Sequence, residues 1–425
     1  MNANYALPAV NFFMADVGGG LGPFLSTFLA DVAHWSPAQI GWVVAAGSVT
    51  GALLAGPAGS MVDRFGRPRL MLAAACCLIL AGTLTLLPAR AFWLVVIAQI
   101  VVSAGGALGS PSISGLTLAI VGKKGYPKQQ GTNEAANHTG NVTAAGLVAL
   151  LSMAFGGSTL LGFEMRHFAA IAVLAVMATA TLVTLWLMDP HAIDADRMRG
   201  RKKRQRGEKR GLTRAILKDR RLWTVLAVVA MFQLGNSAML PLLGQRIVHE
   251  GDANATAWMS GCVIASSLTM IPVALLVGRN ADRLGRRKLL IFACAVVIAR
   301  CGVAVFATGR YWLIPIEILD GICAATFSVS TPLAIADLTY GSGRTQTAMG
   351  GMAMVQAGGA ALASIAWGYA VGVVGYTAAF GAMALFPALA IFLLFTITLK
   401  DEQNQPEAAA GAGSSENAAA ISAAA

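Results

Sequence analysis

Gly59-Ser60-Met61-Val62-Asp63-Arg64-Phe65-Gly66-Arg67 and Gly278-Arg279-Asn280-Ala281-Asp282-Arg283-Leu284-Gly285-Arg286 are one short charged pattern written twice. Each copy stands between two long apolar runs, and the two aspartates, at 63 and 282, are offset by 219 positions. Trp93-Leu94 and Trp312-Leu313 keep the same offset, each opening the fourth apolar run of its half. Internal repetition of this kind in a membrane chain points to two bundles with a binding site between them.

Of the 425 residues, 56% are hydrophobic and only 12% charged, and mean hydropathy is +0.66. That is more apolar surface than a soluble core can absorb, and the 47 glycines suit tightly packed membrane helices. Runs long enough to cross a bilayer as helix fall at about 7–30, 38–61, 69–87, 92–121, 131–160 and 167–188. A second set falls at about 222–245, 256–278, 288–308, 312–338, 346–372 and 376–398. The basic residues test this count. With a cytoplasmic N-terminus, 26 Lys and Arg face inside and 4 outside (Arg90, Arg166, Arg246, Arg310), leaving Arg300 within the membrane. A miscounted helix would scramble that asymmetry. The net charge of +11 therefore reflects topology, and no nucleic-acid partner is expected.

These runs organise the chain into an N-terminal six-helix bundle (1–188), a basic cytoplasmic linker (189–221), a C-terminal six-helix bundle (222–400) and a tail (401–425) whose composition predicts disorder. The linker reads as a topology anchor touching lipid headgroups, with a regulatory docking role as the alternative. Met1–Pro8 carries no basic segment, so no cleavable signal is expected. The six cysteines lie inside apolar runs without metal-ligand or disulfide spacing and read as core filler, so neither metal nor cofactor is expected.

Six plus six helices, a basic central loop and a doubled G-x-x-x-D-R-x-G-R resemble the major facilitator superfamily over roughly residues 7–400. The resemblance implies an all-α fold of two pseudo-symmetric bundles rocking around a central cavity, lined by helices 1, 4, 7 and 10 and flanked by 2, 5, 8 and 11. It also implies a gate: Asp63 facing the N-terminus of helix 11 and Asp282 that of helix 5, as latches that break when the carrier opens inward. A carboxylate suits such a place, where backbone N–H groups are exposed. Gly59 and Gly278 open the two motifs, Gly66 and Gly285 make the tight turns, and Arg64, Arg67, Arg283 and Arg286 supply counter-charge. Pro68 departs from the family pattern, which carries a second basic residue there.

Ionisable groups at membrane depth call for a partner or a task. Asp16, within the first run, is a proton-carrier candidate or a hydrogen-bonded structural acid. Glu134, Asn137, His138 and Asn141 recur at i, i+3, i+4 and i+7, one helical face. That face lines a cavity, with His138 as a proton or substrate group, or forms an interhelical seam; Glu134 is alternatively a gate residue or a partner for a motif arginine. Glu317 and Asp320 add proton-coupling candidates on helix 10. Arg300 reads first as their structural partner and second as a substrate clamp, and Asp337 as a partner for Arg286. Asn11, Gln99, Gln233, Asn236 and Gln356 suit substrate hydrogen bonding or helix–helix contact.

No G-x-x-x-x-G-K-[ST] phosphate loop is present, so transport is expected to be secondary and no enzymatic activity is expected. The leading expectation is proton-coupled antiport, exporting a small amphipathic or organic compound across the cytoplasmic (inner) membrane by a functional monomer. Uptake of a small organic acid or metabolite by proton symport is the alternative, and a non-transporting sensor or assembly factor a third.

Overall fold

The structure, a computed structural model, describes residues 3–18, 35, 37–86, 91–154, 159–160, 163–164, 166–199, 219–249, 255–306 and 309–397. Predicted features at 19–34, 200–218 and 401–425 lie outside these residues. Helices α1 (Ala3–Gly18), α2 (Pro37–Phe65) and α3 (Pro68–Thr85) open the chain. A single helical run, Phe92–Ala154, follows. At 1.5 Å per residue it would be about 95 Å long, some three times the hydrocarbon thickness. It breaks at Gly122, whose φ of 65° and ψ of −178° are not helical. The run is thus two crossings, α4 (92–121) and α5 (123–154).

Two-residue strands Thr159–Leu160 and Phe163–Glu164 pair antiparallel before α6 (Arg166–Leu187). Helix α7 (Arg220–Asn236) continues after a turn as Met239–His249. There follow α8 (Ala255–Leu284), α9 (Arg286–Phe306) and α10 (Leu313–Thr339). The run Thr345–Met383 breaks at Gly375 (φ 80°). It gives α11 (345–374) and, with Leu385–Phe395, α12 (376–395).

Nine stretches among the described residues are long and apolar enough to cross a membrane, and Tyr5–Ala15 is a shorter apolar helix. Splitting the two long stretches at their glycines and adding α1 is compatible with the twelve crossings expected from the charge pattern. Two prediction errors have a common cause. Helix α5 starts about eight residues before the predicted 131, and α2 and α8 run on through their motifs to 65 and 284. Charged residues at a helix end carry no hydropathy, so a transfer-scale reading trims them although the backbone hydrogen bonds continue.

Burial separates two main apolar cores. One joins residues of α1–α6, including Leu7, Leu72, Ile79 and Leu174's neighbour Val173. The other joins α7–α12 and takes in Leu118, Tyr126 and Ala135 from α4 and α5. Outward positions carry Trp42, Leu53, Trp93, Tyr369 and Phe392, all more than half exposed. A surface of that kind belongs in lipid rather than water.

The halves meet where α2 crosses α11 and α5 crosses α8. Both crossings are backbone against backbone. A Cβ on Gly350 would overlap the Ala55 carbonyl oxygen, and one on Gly131 would overlap that of Ala274. Gly59 meets Gln346 and Gly350, while Gly278 meets Pro127 and Gly131. Every one of these residues maps onto its counterpart by the same 219-residue offset that relates the motifs. The repeat is therefore structural as well as sequential. It places small residues where two helices must touch.

Candidate functional site

Between the crossings lies a cavity of about 350 Å³ walled by α1, α4, α5, α7, α10 and α11. Asn11 of α1, Glu134 and Asn137 of α5 and Gln356 of α11 line it. Met14, Met349, Met352 and Phe327 supply apolar wall, and Phe327 stacks on Phe232 with ring centroids 3.7 Å apart. Glu134 Oε1 accepts from Gln130 Nε2 at 3.0 Å, and His138 Nε2 stands 3.8 Å from Glu134 Oε2. The His138 nitrogen is buried without a hydrogen-bond partner. It sits behind Glu134 and does not line the cavity.

Several predicted cavity residues lie elsewhere. Gln99 packs on the Gly47 backbone of α2, and Gln233 on Gly359 of α11. Asn141 is exposed, with its Nδ2 donating to Asn137 Oδ1 at 3.3 Å. Asn236 belongs to a separate ion cluster. A polar residue known only by its helix fixes depth but not azimuth, and azimuth decided each case. The side chain of Asp16 lies outside the described residues; its neighbours are Ala15, on the cavity, and Val17, in the core.

Tyr126 and Gln130 also line the cavity and were missed. They extend the stripe of Glu134, Asn137 and Asn141 by two turns towards the helix start. Placing the start of α5 at 131 hid them. The signal was present, in the i, i+4 and i+8 spacing of 126, 130 and 134. Tyr126 is buried, and its hydroxyl lies 3.0 Å from Ser114 Oγ of α4.

The ion cluster sits wholly within the C-terminal half. Arg300 of α9 is 1% exposed and Glu317 of α10 is fully buried. Arg300 Nη2 donates to Glu317 Oε1 at 2.6 Å, and Nη1 lies 2.7 Å from Asp320 Oδ1. Nη1 also donates to Asn236 Oδ1 at 2.8 Å, and Ser266 Oγ donates to Asp320 Oδ2 at 3.0 Å. Glu317 Oε2 and Arg300 Nε have no hydrogen-bond partner among the described residues. Neither acid lines the central cavity, so their expected role there is not supported by position. One guanidinium joins α7, α9 and α10, its fork suiting two carboxylates at once, and Asp320 extends the cluster to Ser266 of α8.

At the end carrying the motifs the cavity is shut. Asp63 Oδ1 accepts from the Gln346 N–H at 3.2 Å, and Oδ2 from the Thr347 N–H at 2.6 Å and the Thr347 hydroxyl at 2.8 Å. Those amides belong to the first turn of α11, where helical N–H groups have no partner in their own helix. One acid thus fills three donors and faces the positive end of the helix dipole. Gly66 and Gly285 follow their helices with φ of 68° and 83° and end them by donating to the Val62 and Ala281 carbonyls.

The second latch is built differently, which corrects the expectation for Asp282. Asp282 is half exposed and pairs with Arg286 at 2.5 Å. Arg286 Nε reaches Asp337 Oδ2 at 3.1 Å, and Asp337 Oδ1 lies 3.3 Å from Lys123 Nζ of α5. The reason is local. By the 219-residue offset the positions matching Gln346 and Thr347 are Pro127 and Lys128. Proline has no N–H, and because α5 begins at 123 its position 128 is already inside the helix. Deprived of backbone donors, the second motif crosses the halves through an arginine–aspartate–lysine chain instead. Arg64, Arg67 and Arg283 are exposed.

The linker supplies a part that sequence reasoning did not foresee. A 3₁₀ turn (Pro190–Ala192) and a short helix (Ala195–Met198) bring Arg199 under the first motif. Arg199 Nε donates to the Asp63 carbonyl at 2.6 Å, and Nη2 to the Arg64 carbonyl at 3.1 Å. The Met198 side chain is fully buried, and its carbonyl accepts from Gln346 Nε2 at 3.4 Å. The start of the linker is wedged into the gate.

A chain of membrane-length helices with two repeated halves, a central cavity and an end closed by paired charged motifs has the architecture of a membrane transporter. The family profile described as Major Facilitator Superfamily matches residues 9–299 and 234–423. A protein described as an MFS-type transporter in Mycobacterium tuberculosis strains CDC 1551 / Oshkosh and ATCC 25618 / H37Rv is 32% identical over 398 residues, 93% of each chain. The chain belongs to the Major Facilitator Superfamily. Among solved structures, the proton:xylose symporter XylE bound to 6-bromo-6-deoxy-D-glucose superposes with a TM-score of 0.74 at 13% identity, covering 93% of this chain and 95% of that one. FucP in the outward conformation superposes at 0.68 with 14% identity, covering 93% and 99%. At those identities the likeness concerns the fold.

Proposed function

We propose that the protein is a proton-coupled exporter of a small amphipathic compound, neutral or cationic, working by alternating access in the cytoplasmic membrane. The observation that carries this reading is the cavity lining. Among the described residues Glu134 is its one carboxylate, no Lys or Arg joins it, and the remaining wall is amide, hydroxyl and apolar side chains. An anionic cargo wants a positive partner and finds none here, whereas a carboxylate that exchanges a proton for a cargo suits antiport. The basic residues favour placing both termini and the motif end in the cytoplasm. The described residues that line the cavity come from both halves of one chain, which supports a working monomer.

Proton symport into the cell is the second reading, favoured by the solved neighbours described as proton symporters, XylE and the Escherichia coli fucose:proton symporter FucP. Everted vesicles with an acid interior and a pH-sensitive dye, challenged with a panel of lipophilic cations and neutral amphiphiles, separate the two. Export predicts that one class of compound triggers proton leak, and that Glu134→Gln and Asp16→Asn each abolish it while the protein stays folded. Leak that persists unchanged in Glu134→Gln removes that residue from coupling. Compound-dependent alkalinisation outside right-side-out vesicles, without leak in everted ones, makes the protein an uptake symporter.

A further inference from the structure

A second recess, of about 570 Å³, lies on the outer flank of the motif end, away from the central cavity. Its floor is the first motif's turn, from Gly66 to Arg69. One wall is the end of α6 with Leu182 and Trp186, and the other is the linker through Pro190 and Ile193. Two arginines rise from the floor. Arg67 is exposed and makes no ion pair among the described residues; Arg69 is half-buried and donates to the Trp186 carbonyl at 3.0 Å. The rim is apolar and turned outward: Leu70 is 54% and Trp186 76% exposed. No acid lines the recess among the described residues, and Asp63, one turn before Arg67, is taken up by the Gln346 and Thr347 donors.

We infer that this recess is a binding site for one anionic phospholipid of the leaflet at the motif end. The phosphate would sit between the Arg67 and Arg69 guanidinium groups, and the glycerol and first acyl carbons against Trp186, Leu70 and Leu182. Three features select a lipid over a soluble anion. The arginines stand at helix ends where the apolar belt stops. An exposed tryptophan, the side chain suited to headgroup depth, forms the rim. The recess also opens beside outward-facing leucines that need acyl chains as cover. Net negative charge is required because a zwitterionic head brings its own cation to the arginines.

The matching surface of the second half lacks the site. There Arg286, the counterpart of Arg67, is buried and doubly paired, and Leu289, the counterpart of Leu70, is buried, so exposed Lys288, which matches Arg69, has neither a free arginine partner at 286 nor an apolar rim at 289. Because the linker forms one wall and Arg199 anchors that same linker under Asp63, a bound lipid holds the wedge in place and stabilises the closed gate.

The test uses the full-length protein in detergent, equilibrated with phosphatidylglycerol, phosphatidylcholine or inorganic phosphate. Retained lipid is read by mass spectrometry and stability by thermal unfolding, neither of which depends on knowing the cargo. Phosphatidylglycerol is expected to be retained and to raise the unfolding temperature, while phosphatidylcholine and inorganic phosphate do neither. Arg67→Gln/Arg69→Gln is expected to lower that retention roughly tenfold or more. Arg287→Gln/Lys288→Gln, at the second motif, is expected to keep it. If the double variant does not fold, Arg67→Gln alone, at an exposed position, carries the same comparison. Undiminished phosphatidylglycerol retention in the Arg67 variants, equal retention of phosphatidylcholine, or equal stabilisation by inorganic phosphate would overturn the assignment.

Discussion

Arg300 shows how a single side chain can hold several helices at membrane depth. Its guanidinium meets Glu317, Asp320 and Asn236 at 2.6–2.8 Å while almost fully buried. Removing one member of such a set leaves the others charged and unpaired in a medium that cannot solvate them. Arg300→Met is therefore expected to lower stability by about 3–5 kcal/mol, read as a fall in unfolding temperature in detergent. Glu317→Gln should cost much less, because Oε1 keeps an acceptor for the Arg300 Nη2 donor. Equal losses for the two variants would show that the carboxylate charge, and not only an acceptor oxygen, is needed opposite the guanidinium. Sequence alone flagged all three ions, since charge inside an apolar run is visible. It did not show that Asn236 joins them, because a lone asparagine reads the same on a cavity wall as in a buried network.

At the scale of helices, the two motifs are alike in letters and unlike in bonding. Asp63 caps the first turn of α11 with three hydrogen bonds, whereas Asp282 holds an arginine that holds Asp337. Hydrogen bonds to a charged group contribute about 1.5–3 kcal/mol each. Asp63→Ala should accordingly shift the carrier far towards the state open at the motif end. Alkylation of a cysteine introduced on α11 near Thr347 would report this as faster labelling. Asp282→Ala should do so only weakly, since Lys123–Asp337 survives it; equal acceleration in the two variants would contradict the asymmetry. Gly350→Val and Gly131→Val press a side chain into the Ala55 and Ala274 carbonyls. Both are expected to part the crossings and abolish transport with the expressed protein still in the membrane. The motif aspartates were legible from their duplication. The difference between them turned on Pro127 and on where α5 begins, which a hydropathy reading placed eight residues too late.

Across the whole molecule, the contacts described here shut one end, and three separate devices do so: the Asp63 cap, the Lys123–Asp337 pair and the Arg199 wedge. Replacing Arg199 by Gln should loosen the first of these without touching the cavity. The expected result is faster labelling at the motif end with cargo affinity unchanged when the gate is held shut by crosslinking. Unaltered labelling would reduce the wedge to a passive anchor. The sequence by itself determined the membrane class, the internal repeat, the positions of the gate motifs and the presence of buried ions. All of these follow from hydropathy, charge and spacing, which are properties of residues taken in order. Only the tertiary structure decided which polar groups share a cavity, that Glu134 stands there while Glu317 and Asp320 do not, and that the linker enters the gate. Those depend on the azimuth of each helix and on which backbone donors are left open where two halves meet. Neither is fixed until the helices pack.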